Sequence, residues 1–94
     1  MLKTKWTHAA LNDLQEAIEY IGEENPAAAK KVALRVSKAI KLLREMPTLG
    51  RKGRYENLRE WVVSETAYII WYRVREDDGV IEVVRVFHHS RKVG

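Results

Sequence analysis

The sequence predicts an α+β fold in which a short N-terminal strand is followed by an antiparallel helical hairpin and a three-stranded antiparallel meander packed on that hairpin. Three observations carry this expectation. Apolar residues recur at helical spacing from Ala10 to Met46, broken only around Asn25-Pro26. Beyond Leu58 the apolar period changes to two, the period of a strand. An Asp78-Gly79 turn then separates two such stretches, as in a hairpin.

Taken in order, residues 2–6 alternate apolar and polar and read as a half-buried strand. Thr7 is placed to cap a helix, with Trp6 and Leu11 flanking it as a hydrophobic staple. Ala10, Leu14, Ala17, Ile18 and Ile21 form the apolar stripe of this helix, Asp13, Glu16 and Glu19 lie on other faces, and Gly22 is expected to end it. Asn25 caps the second helix and Pro26 takes its first position, where a missing N–H costs nothing. Its stripe runs through Ala29, Val32, Ala33, Val36, Ile40, Leu43 and Met46, and Pro47 stops it. The short connection forces the two helices antiparallel around a shared core. Residues 48–55 read as a basic loop, and strands follow at Leu58–Val63, Ala67–Arg75 and Val80–His88. In the middle strand Tyr68, Ile70, Tyr72 and Val74 share one face, and Ile69, Trp71 and Arg73 the other. Residues 89–94 are basic and polar and are expected to fray or dock loosely.

A chain of 94 residues has room for one hydrophobic core, so residues 1–94 are read as a single domain. With 46% hydrophobic and 32% charged residues, the composition is that of a globular protein. The absence of cysteine excludes a disulfide framework, a thiolate zinc site and a cysteine nucleophile. No apolar run suits a signal peptide or a membrane span, so a cytoplasmic protein with no membrane association is expected. The net charge of +4 is spread over both halves and favours acidic partners, whether nucleic acid or protein.

No metal or cofactor motif is present. His88 and His89, adjacent on a strand, are expected to point to opposite faces, a poor arrangement for sharing an ion. Arg51, Lys52 and Arg54 offer cations to phosphates or carboxylates, or form a merely solvated loop. Arg85 interrupts the apolar run Val83-Val84-Arg85-Val86-Phe87 and therefore needs a partner, because an unpaired buried guanidinium is too costly. Either it forms a structural ion pair, for instance with Glu60 or Glu82, or it is a basic group on the exposed sheet face. Arg59, Arg73, His88 and His89 raise the same question, since arginine can stabilise the charge that develops as a phosphodiester is cleaved and histidine can move protons near neutral pH.

The segments Trp6…Ala10…Asp13-Leu14…Ile18…Tyr20-Ile21…Pro26-Ala27-Ala28 and Met46-Pro47…Gly50-Arg51…Gly53-Arg54 together resemble the RelE/ParE toxins of type II toxin–antitoxin systems. Leu58-Arg59-Glu60…Tyr68-Ile69-Ile70…Tyr72-Arg73-Val74 and Ile81–His88 complete the series, which spans nearly the whole chain. The resemblance implies a helical hairpin on an antiparallel sheet and a growth-inhibiting toxin of the plasmid-stabilisation kind, held silent by a cognate antitoxin. It implies DNA gyrase as the target in the ParE-like branch, or the ribosome and its mRNA in the RelE-like nuclease branch. RelE-like nucleases carry an arginine where Ile69 stands here and a C-terminal tyrosine, while no tyrosine follows Tyr72. His88 matches a position where one nuclease subgroup has a catalytic histidine, but ParE-like members carry a histidine there too. The ParE-like reading is therefore preferred. Under it no residue is catalytic, and Arg51, Lys52, Arg54, Arg85, His89, Arg91 and Lys92 are the expected partner-binding residues. DNA is expected to be touched only through the antitoxin complex. If the chain is instead a nuclease, Arg59, Arg73, Arg85 and His88 are its candidate catalytic residues.

Overall fold

The computed structural model of the protein describes residues 1–90. β1 (Lys3–Trp6) leads into α1 (His8–Glu24), whose first turn is closed by Thr7: its hydroxyl accepts from the Ala10 N–H at 3.0 Å. α2 (Pro26–Glu45) begins after a single residue. Asn25 ends one helix, donating its N–H to Ile21, and opens the next, its side chain accepting from Ala28. The first helix therefore runs past Gly22, because Pro26 and Asn25 set its limit and the glycine does not.

The strands are β2 (Arg51–Lys52), β3 (Arg59–Val62), β4 (Tyr68–Arg75) and β5 (Val80–His88), and the sheet order is β1-β5-β4-β3-β2. The expected meander is β3-β4-β5. The segment read as a pure loop contains the two-residue strand β2, which extends the sheet by pairing Arg51 with Glu60 and Lys52 with Arg59. β1 joins the other edge, parallel to β5, with Trp6 opposite Val83. Residues 76–78 form a 3-10 turn closed by Gly79, whose φ of +65° is the left-handed conformation glycine adopts without strain.

The hairpin covers one face of the sheet. Val36, Ile40 and Leu43 of α2 and Ala10 of α1 meet Ile70 and Tyr72 of β4 and Ile81, Val83 and Val86 of β5. The alternation expected for β4 holds: the other face of the sheet carries a smaller cluster of Leu58, Trp71 and Phe87, flanked by Ile69 and Val84. Pattern misplaced two apolar residues, one on a stripe and one beside a cap. Met46 is half exposed at the helix end, and Ala39 is buried in its place. Leu11 is also half exposed, whereas Trp6 and Leu14 pack against the core.

Candidate functional site

The chain leaving α2 is held rigidly before it presents its basic residues. The Tyr72 hydroxyl, fully buried, donates to the Pro47 carbonyl and accepts from the Gly50 N–H, both at 2.8 Å. Burial raises its pKa above the usual tyrosine value, opposed by the Gly50 hydrogen bond and the nearby Arg59 charge. Arg59 donates to the Gly50 carbonyl at 2.7 Å and to that of Thr48 at 3.3 Å. Gly50 is required by proximity, because a Cβ there would lie 2.4 Å from the Tyr72 hydroxyl and 2.9 Å from the Glu60 carbonyl. From this anchor Arg51, Lys52 and Arg54 emerge exposed. Arg51 pairs with Glu60 at 2.9 Å, and the other oxygen of Glu60 accepts from the Trp71 indole. Lys52 and Arg54 line a cleft of about 430 Å³ with Tyr55 and Leu58.

A second constellation sits where β5 runs beyond the end of β1. There, among the described residues, the strand has no neighbouring strand on that side, and α1 supplies the partners. Thr7 donates its hydroxyl to the Val84 carbonyl at 2.8 Å. The Asp13 carboxylate accepts from the Val86 N–H at 3.0 Å and from two nitrogens of Arg85 at 2.7 and 2.9 Å. Register shifts at the same place: Trp71 faces Arg85 while Tyr72 faces Val83, leaving Val84 as an extra residue. Arg85 thus forms a structural ion pair, with Asp13 and with neither Glu60 nor Glu82. The bond to Asp13 raises the Arg85 pKa further above its ordinary value. Sequence reasoning placed Asp13 off the apolar stripe, yet it is 8% exposed. The available signal was its spacing, since residues 10, 13 and 17 lie at i, i+3 and i+7 along the buried face.

Next to this clip, Glu16, Tyr20, Tyr68, His88 and Ser90 line a cleft of about 590 Å³. His88 Nδ1 lies 2.7 Å from the Ser90 hydroxyl, and its ring meets Tyr68 edge-on. His88 and His89 do not diverge as expected. β5 ends at His88, the chain bends, and the two rings stack with centroids 4.7 Å apart, while the His89 N–H donates to Ala67. Among the described residues no group of three or more His, Asp or Glu side chains is placed to hold a metal ion. Glu16 and Tyr20 also escaped sequence reasoning, and the 77% exposure of Tyr20 is the one hint in its surroundings.

On the open face, Glu82 is approached by Arg73 at 3.3 Å and Arg75 at 3.2 Å. Arg73 Nε is buried without the alignment a hydrogen bond needs. The candidate catalytic residues therefore stand at separate places: Arg59 on the Thr48–Gly50 carbonyls, Arg73 on Glu82, Arg85 on Asp13, His88 beside Tyr68. Of the candidate partner-binding residues, Arg51, Lys52 and Arg54 form one group, and Arg85 and His89 lie elsewhere. Arg91 and Lys92 lie outside the described residues.

Residues 4–93 match the model of the family described as ParE toxin of type II toxin–antitoxin system, parDE. The chain is 41% identical over 91 residues to toxin RelE2 of Caulobacter vibrioides, covering 97% of this chain and 99% of that protein. It is 38% identical over 86 residues to the putative toxin Y4kP of Sinorhizobium fredii, covering 92% and 86% of the two. In fold it is similar to the chromosomal ParDE system of P. aeruginosa, with a TM-score of 0.81, 21% identity and coverage of 94% and 96%. The intact E. coli RelBE toxin–antitoxin complex gives 0.73, 14% identity and coverage of 97% and 100%. With a family model spanning nearly all of it and two curated relatives above 30% identity, the chain belongs to the ParE toxins of type II toxin–antitoxin systems, within the RelE/ParE superfamily.

Proposed function

We propose that this toxin is a cytoplasmic, single-domain growth inhibitor that acts by binding DNA gyrase and breaks no bond itself. The observation that carries the reading is the dispersal of Arg59, Arg73, Arg85 and His88. Arg59 and Arg85 are engaged in holding the fold, Arg73 faces Glu82 and His88 stands beside Tyr68, so the four serve four different partners and not one point where a scissile phosphate could sit. A poison that works through contact needs a surface, and Arg51, Lys52 and Arg54 on their rigid anchor offer one. Antitoxin control is the other half of the proposal. An extended acidic segment of the cognate antitoxin would wrap the chain and mask that basic surface, aided by the partly apolar groove of about 330 Å³ that Trp6, Leu14, Ala33 and Ile40 line.

The test is direct. Purified protein should inhibit gyrase supercoiling, and His88→Ala should keep most of its toxicity in cells. Protein that spares gyrase but cuts ribosome-bound mRNA, with cutting lost in His88→Ala, would reverse the assignment in favour of a RelE-type endoribonuclease.

A further inference from the structure

We infer that the open face of the sheet carries a second binding surface, a grid of cations built to hold the phosphate backbone of duplex DNA. Register places it. Lys5, Glu82 and Arg73 lie side by side across β1, β5 and β4, and Lys3, Val80 and Arg75 form the parallel row two residues away. Thr4 and Trp6 line the groove on the helix side, so Lys3 and Lys5 project from the opposite face. Ile81 and Val83 are core residues, which puts Val80 and Glu82 on that face too.

Four cations thus occupy the corners of the grid and a single carboxylate lies within it. Glu82 is shared by Arg73 and Arg75, and neither lysine has an ion-pair partner among the described residues. Spacing follows from strand geometry: about 7 Å between cations along each strand, and about 10 Å between those of β1 and those of β4.

The surface suits a nucleic-acid backbone better than an acidic protein segment. A segment that orders on binding needs apolar anchors to offset the lost entropy, and the grid holds only Val80. An extended peptide, moreover, presents its carboxylates along one line, whereas the grid offers two rows. Phosphates arranged on two strands across a groove fit both rows without further anchoring. This goes beyond the expectation that DNA is reached only through the antitoxin complex, and it rests on the gyrase reading only in choosing DNA over RNA.

Fluorescence anisotropy of the full-length protein with a labelled duplex of about two helical turns, titrated between 50 and 200 mM salt, tests it. Four phosphate contacts predict a slope of log affinity against log salt of about −3 to −4, an affinity loss of about a hundredfold across that range. Lys5→Ala, Lys3→Ala and Arg75→Ala should each make the slope shallower by about one, whereas Lys30→Ala on α2 should leave it alone. Unchanged slopes in the three grid variants, with their melting curves intact, would overturn the inference. So would tighter binding of a poly-glutamate peptide, which would assign the face to an acidic protein, or preference for single-stranded RNA of equal length. Supercoiling inhibition is measured separately on the same preparations. Duplex binding with the expected slopes in protein that spares gyrase would defeat the function reading and leave the grid standing.

Discussion

Two groups of charged residues flank the same strand and are handled in opposite ways. At the edge of β5, one carboxylate from α1 takes three hydrogen bonds, two from Arg85 and one from the strand's own Val86 N–H, and it is almost fully withdrawn from water. On the open face of that strand, Glu82 answers two arginines, and neither contact is short. The first arrangement is a buried pair with every strong acceptor site used, the condition under which burial of charge is tolerated. The second withdraws its carboxylate almost as far, but its contacts are longer and two arginines share one acceptor oxygen, so its cations are less fully offset.

Breaking the buried member should have the largest effect. Asp13→Ala leaves the buried Val86 N–H without an acceptor and takes the counter-charge from an Arg85 that water partly reaches, at a cost of about 2–4 kcal/mol. That is a large share of the stability of a small protein, and thermal or urea melts should show it. A loss under about 1 kcal/mol would mean that solvent screens the pair, and the contrast between the two groups would vanish.

Tyr72→Phe should cost about 1–3 kcal/mol, since the Gly50 N–H and Pro47 carbonyl lose their buried partner. Here pH sharpens the comparison. The native tyrosine pKa is raised, so the hydroxyl's contribution is complete below the unfolded value of about 10 and disappears as pH rises through the higher native one. Wild type should therefore lose stability in alkaline melts more steeply than the phenylalanine variant, and parallel curves would show that the hydroxyl is not desolvated. Arg75→Ala, on the open side, should shift the melt by no more than about 0.5 kcal/mol, as exposed pairs do. A larger loss would promote the Glu82 cluster to a structural role.

The covered side of the molecule was the more legible in sequence. Helical spacing and the Asn25-Pro26 pair announce the hairpin because capping chemistry is local, and the period of two announces β3 to β5 for the same reason. What escaped was long-range or very short. β2 has two residues, too few for any period to register. Arg85 advertised its need for a counter-charge, but Asp13 lies 72 residues earlier, and only a tertiary structure brings them together. His88 and His89 were expected to diverge because strand alternation was carried one residue too far. The cationic grid is invisible for a similar reason: Lys3, Lys5, Arg73 and Arg75 become neighbours only when β1 docks beside β5.

That docking also sets a clock on folding during synthesis. β1 emerges from the ribosome before the other strands, yet among the described residues its only strand partner is β5, and the Thr7 hydroxyl must wait 77 residues for the Val84 carbonyl. Until Val80–His88 has been made, the N-terminal strand has nothing to pair with and α1 lacks the edge it clamps. The helical hairpin is free to form early because its contacts are local, but the sheet closes only once Val80–His88 has been made. A nascent chain stopped before Val80 forfeits β5, the place of β1 and the anchor of α1 together, so the toxin folds as one late event and not strand by strand.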